Sequence, residues 1–129
     1  MNTILEPLEQ FKSGAKRSDQ TGKGRYDLIS PYGLRRLAIR YEEGVEHKGE
    51  RNWEKGFPVS RAISSAIRHI MQYLMGCRKE DHIAAAAWQL FCIMHFEKTF
   101  KDNREILDTP VAENECPKHF KHHISVDDK

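Results

Sequence analysis

Residues 82–96, HIAAAAWQLFCIMHF, are apolar around nearly the whole circumference of a helix. A helix of that kind is unstable in water unless other elements cover it. The rest of the chain must therefore supply partners for one central helix. We expect that helix to run from about Glu80 to Phe100, with Ala84 to Ala87 allowing close approach of its neighbours. Asp81, Ala85, Trp88 and Cys92 fall on one of its faces.

Two further segments have the right periodicity. In the first, Leu34, Leu37, Ala38, Tyr41 and Val45 recur at helical spacing after Ser30-Pro31. That dipeptide reads as an N-cap followed by proline at the first helical position. In the second, from about Ser60 to Met75, the expected core stripe is Ile63, Ala66, Ile67, Ile70 and Leu74, with Gly76 as the stop. The fold class is thus all-α: a small bundle of three to four helices with an extended N-terminal arm and an irregular C-terminal tail. The chain of 129 residues suits one core. We divide it into a basic arm (1–30), a helical core (31–101) and a tail (102–129) that includes a short helix near Arg104–Leu107. No strand-like alternation of any length is visible.

The formal net charge of +2 is nearly balanced, so a dedicated nucleic-acid surface is not expected. Positive charge gathers instead between Lys12 and Arg25. Cys77, Cys92 and Cys116 are odd in number and widely spaced, which suits a reducing compartment. The opening residues lack the apolar core of a signal peptide, and no segment is long enough to span a bilayer. The expected location is the cytoplasm (a host cytoplasm if the chain is phage-encoded).

Several chemistries have no motif here. The chain lacks a P-loop, a nucleophile elbow and a thiol-protease signature. His69 and Asp81 match residue types of HD phosphohydrolases, but the adjacent pair is reversed, as Asp81-His82. Cys116, His119, His122 and His123 match zinc ligands by type but not by spacing. What remains is acidic. Glu42-Glu43-x-x-Glu46 lies on the first helix, and Glu80-Asp81 opens the third. Divalent Mg²⁺ or Mn²⁺ takes hard oxygen ligands of this kind together with phosphate oxygens. On the helical wheel Glu42 and Glu46 flank the core stripe, while Glu43 points outward, toward a second copy of the chain. Asp81 faces inward; Glu80 is explained by the helix N-terminus alone. Lys23, Arg25, Arg51, Lys55 and Arg68 can hold phosphates. Trp53, in a loop at 47–58, either stacks on a base or plugs the bundle end.

The segments GKGRYDL, RNWEKG, Arg68-His69 and DHIAAAAW, in that order across residues 14–98, resemble the phage and bacterial dATP/dGTP diphosphohydrolase domain. That group stands among the MazG-like all-α nucleotide pyrophosphatases, including the MazZ-type phage enzymes. The resemblance implies a homodimer or homotetramer. It also implies Mg²⁺- or Mn²⁺-dependent cleavage of a deoxynucleoside triphosphate, here dGTP or dATP, to the monophosphate and pyrophosphate. On it, Glu42, Glu46 and Asp81 are metal ligands, and Glu43 or Glu80 is a further ligand or the catalytic base. Lys23, Arg25, Arg68 and His69 contact phosphates, and Asn52 and Trp53 the base or sugar. The superfamily's Glu-Glu-x-x-Glu is present at 42–46. Its Glu-x-x-Asp is not: Cys77 stands where an acid would precede Glu80. A non-catalytic helical module that binds a host protein or nucleic acid is the alternative.

Overall fold

A computed structural model of the chain describes residues 7–112. The chain divides into two compact units, one ending at Leu34 and the other beginning at Arg35. The C-terminal residues Cys116, His119, His122 and His123 lie outside the described residues.

The first unit holds a hairpin that the sequence did not announce. Strands β1 (Leu8–Gln10) and β2 (Lys16–Ser18) pair antiparallel, with Leu8 opposite Ser18, Glu9 opposite Arg17 and Gln10 opposite Lys16. Each strand has only three residues, all exposed, so no alternation between buried and exposed positions could mark them. The usable signals were the Ser13-Gly14 turn and the opposite charges of Glu9 and Arg17. Gly14 turns the chain at φ +91, where its amide donates to the Phe11 carbonyl. A single 3-10 turn follows at Tyr26–Leu28.

Helix α1 spans Pro31–Lys48. Its start is as expected: the Gly33 amide donates to Ser30 Oγ at 3.1 Å. After a 3-10 turn at Asn52–Lys55, α2 spans Val59–Leu74 and α3 spans His82–Thr99. His69 meets His82, and Ser65, one turn earlier, meets Gln89. Helices α2 and α3 therefore run antiparallel. Residues beyond α3 fold back on the start of α2. Its Val59 amide donates to the Ile106 carbonyl at 2.8 Å, and both the amide and the hydroxyl of Ser60 donate to the Asp108 carboxylate. Single-turn structure at Asn103–Leu107 is the remnant of the short helix expected there.

The faces differ from the expected ones. On α2 the buried residues are Val59, Ala62, Ala66 and His69, whereas Ile67 and Leu74 are 55% and 70% exposed. On α3, Ala84, Ala85, Ala86, Gln89, Cys92 and Phe96 are buried, but Leu90, Phe91 and Met94 are not. Small side chains allow the two helix axes to approach closely, and the larger aliphatic residues are left outside that seam. Periodicity reveals which face is apolar, not which face a neighbour covers. On α1 the inward positions are Leu37, Arg40, Tyr41 and Gly44, and both Leu34 and Val45 are exposed. That inward face is rotated from the predicted stripe, with consequences for the glutamates. Among the described residues, no helix is long and apolar enough to cross a membrane.

The loop before α2 closes on an aromatic cluster. Phe96 is fully buried, with its ring centroid 5.0 Å from Phe57, 5.7 Å from Phe100 and 6.4 Å from Trp53. Gly56 turns this loop at φ 91, ψ 147, a region essentially restricted to glycine. A Cβ there would stand 2.8 Å from the Phe100 ring and 3.1 Å from Ile106. Gly56→Ala therefore combines backbone strain with overpacking, and we expect a loss of roughly 2 kcal/mol or more. Urea denaturation measures it; unchanged stability would show that this loop is not tightly held.

Candidate functional site

A cleft of about 910 Å³ opens between α1, the loop after it, α2 and the start of α3. It is comparable to small-molecule sites in general. Its walls include Glu42 and Glu43 from α1, Asn52 and Trp53 from the loop, Arg68 and His69 from α2, and Glu80 just before α3. Seven of the eleven residues given roles by the resemblance thus share one space.

Four do not. Glu46 and Asp81 are outside the lining, and Lys23 and Arg25 belong to the first unit. Arg25 there donates to both carboxylate oxygens of Asp27, at 2.9 and 2.7 Å. The helical wheel had Glu42 and Glu46 inward and Glu43 outward. Because the inward stripe of α1 is Leu37, Arg40, Tyr41 and Gly44, Glu43 stands one turn from Arg40 and faces the cleft.

The helix-start position expected of Glu80 is taken by Asp81. Helix α3 begins at His82, so Asp81 is its N-cap and accepts from the Ala84 amide at 3.0 Å. The same carboxylate receives two hydrogen bonds from Arg36, at 2.8 and 2.6 Å. These bonds hold the Asp81 carboxyl down to about 2, with Arg36 as the main cause, followed by the Ala84 amide. This carboxylate links α1 to the start of α3.

Glu80 is the acid that reaches the cleft. Its Oε2 lies 3.3 Å from Arg40 Nη1, and the same nitrogen donates to Glu43 Oε2 at 3.2 Å. One guanidinium therefore sits between carboxylates contributed by two separate elements. On its other side, Glu80 Oε1 lies 3.7 Å from His82 Nδ1 and 4.0 Å from His69 Nδ1. Those two ring nitrogens are 2.9 Å apart, and His82 Nε2 is 3.1 Å from Cys77 Sγ. Both imidazoles are buried. Burial lowers the His69 pKa, and the neighbouring Arg68 lowers it further. Arg40, His82 and Cys77 had no assigned role in the sequence reading. Arg40 was detectable as a basic residue one turn before Glu43, and His82 as the third member of Glu80-Asp81-His82.

Trp53 is half-buried, with its ring 5.7 Å from Tyr41 and 4.8 Å from His95 in edge-on contacts. It forms a wall of the cleft and packs against the end of the bundle. Tyr41 is raised to about 12 by burial. Among the described residues, Arg68 makes long contacts, 3.4 Å to Ser65 and 3.4 Å to Gln72, and it is exposed at the cleft.

A family profile described as "dATP/dGTP diphosphohydrolase, N-terminal" matches residues 13–106. No curated protein and no solved structure matches the chain.

The structural role of Asp81 can be tested. Its carboxyl titrates near 3.8 when unfolded and at about 2 when folded. Its contribution is therefore complete above about pH 4 and disappears as pH falls toward about 2. With the side chain 35% exposed, the shift is worth roughly 1–2 kcal/mol after allowance for solvent screening. Asp81→Asn should lower stability by that amount at neutral pH, and the difference from the parent should close across this window. Melting curves at several pH values decide it; a gap independent of pH would refute the assignment.

Proposed function

Because the chain belongs to the dATP/dGTP diphosphohydrolase N-terminal family, we propose that its cleft binds a deoxypurine nucleoside triphosphate, dGTP or dATP, and hydrolyses it to the monophosphate and pyrophosphate. The observation that carries this reading is the convergence of Glu42, Glu43 and Glu80 on one cleft, beside exposed Arg68. Arg40 shows that a positive charge between Glu43 and Glu80 is accommodated. These hard oxygen donors suit Mg²⁺ or Mn²⁺, with Glu42, Glu43 and Glu80 as the residues that would hold it. Such an ion, when bound, neutralises phosphate charge and lowers the pKa of water.

The remaining roles belong to the protein. Arg68 offers its guanidinium to the phosphates, and Arg40 follows once its carboxylates have another partner. Glu80 or Glu43 orients the attacking water and takes its proton as the new bond to the α-phosphorus forms. The bond from that phosphorus to the bridging oxygen breaks, and pyrophosphate leaves. Trp53 and Asn52 bound the part of the cleft suited to base and sugar. Arg36 and Asp81 are positioning residues, because they fix the segment carrying Glu80.

We place the protein in the cytoplasm as a homo-oligomer. Exposed Ile63, Ile67, Ile70, Met71 and Leu74 on α2 and Leu90 and Met94 on α3 support self-association. Light scattering should give more than one chain per particle, and Ile67→Glu should shift the distribution toward monomer. A monomeric parent would remove this part of the proposal.

Activity is tested by incubating each deoxynucleoside triphosphate with the purified protein and Mn²⁺ or Mg²⁺, then separating the products. We expect dGTP or dATP to yield pyrophosphate. Glu43→Gln and Glu80→Gln should each reduce kcat by roughly 10²–10⁴-fold with little change in Tm. Failure to release pyrophosphate from any nucleotide would end the hydrolase reading.

A further inference from the structure

We propose that His69, His82 and Glu80 form a binding site for one nitrogen-preferring divalent ion of the Zn²⁺/Co²⁺ class, open toward the cleft. The donor atoms of these three residues lie within 4.8 Å of one another. This goes beyond nucleotide hydrolysis and needs no nucleotide.

The geometry is close to that of ligands around an ion. At metal–nitrogen distances of about 2.1 Å, neighbouring donors stand about 3.0–3.4 Å apart. The two Nδ1 atoms are 2.9 Å apart. Glu80 Oε1, at 3.7 and 4.0 Å from them, needs to move by about half an ångström to reach the same spacing. Its side chain is 44% exposed, so that movement is not blocked by packing.

The surroundings favour the ligand forms. An imidazole ligand must present a neutral ring nitrogen. His82 Nε2 lies 3.1 Å from Cys77 Sγ, so a proton on Nε2 is donated to sulfur and Nδ1 keeps its lone pair. The two oxygens of Glu80 are divided: Oε2 faces Arg40, and Oε1 faces the imidazoles. The carboxylate can thus ligate through one oxygen and keep its partner on the other.

Access completes the case. His82 is buried, but His69 and Glu80 both line the cleft. Three protein ligands with the remaining positions directed to an open cleft is the arrangement of a site that receives water or a substrate group. Two imidazoles make Zn²⁺, Co²⁺ and their neighbours better occupants than Mg²⁺, which prefers oxygen alone.

The test is titration of the full chain with Co²⁺, without nucleotide, read by its visible absorption. We expect saturable bands at one ion per chain, bleached by Zn²⁺ and insensitive to millimolar Mg²⁺. His69→Gln and Glu80→Gln should each weaken binding about tenfold or more. Since His69 is in the core, Glu80→Gln decides the matter if the other variant fails to fold. Absence of bands, or equal affinity in the parent and Glu80→Gln, would overturn the site. So would binding that persists in Glu80→Gln but is lost when His119, His122 and His123 are replaced by Asn. Because no turnover is measured, cobalt binding without hydrolysis would leave this site standing and defeat only the proposed reaction.

Discussion

Close approach of α2 and α3 is the constraint on which the rest of the second unit depends. The seam is built from small side chains, Ala62 and Ala66 on one helix and Ala84 to Ala86 on the other, all buried. Short side chains bring the backbones near enough for His69 to reach His82 and for Gln89 to donate to Ser65. Larger residues in the seam would hold the helices apart and separate those pairs. The same choice sets the outside of the unit. With alanines inward, the isoleucines of α2 and the leucine, phenylalanine and methionine of the middle of α3 must lie elsewhere, and they lie at the surface.

Charge fixes the register of α1 against α3. Arg36 and Arg40, one helical turn apart, engage Asp81 and Glu80, which are adjacent in sequence. Despite this symmetry, the two contacts differ in kind. The first is a two-pronged pair with short bonds, reinforced by an N-cap, and such a pair is costly to replace. The second is a single long contact shared with Glu43, and exposed pairs of that type contribute little. Asp81 is therefore held more firmly than its neighbour Glu80.

The helices were legible because their signals are local: Ser30-Pro31 opens α1, and the apolar residues of α2 and α3 recur at helical spacing. The small hairpin at residues 8–18 was not, since three-residue exposed strands leave no pattern. Part of the site was also legible. Glu42, Glu43, Asn52, Trp53, Arg68, His69 and Glu80 were singled out, and the fold brings them to one cleft. What failed was the inference of direction. The helical wheel counted Leu34, Ala38 and Val45 with Leu37 and Tyr41 as one inward stripe, but the first three prove to be exposed, so it turned Glu43 outward and Glu46 inward. Similarly, placing the start of α3 at Glu80 rather than His82 gave Glu80 the helix-end position that Asp81 occupies. Glu80 lies before the helix, so the 100° spacing of a helical wheel does not give its direction.

Glu80 is where these constraints meet. It precedes α3 because Asp81 has taken the cap, and it reaches the cleft because α1 is held alongside by Arg36. One of its oxygens looks toward Arg40 and Glu43, an environment of hard oxygen donors; the other looks toward two imidazoles. A neutral amide at this position would keep the shape and lose the attraction for positive charge on both sides. The two candidate environments for cations in this cleft are therefore linked through a single carboxylate. An ion drawn to the imidazoles would engage Oε1 and leave Oε2 to Arg40, because the two oxygens face different sides.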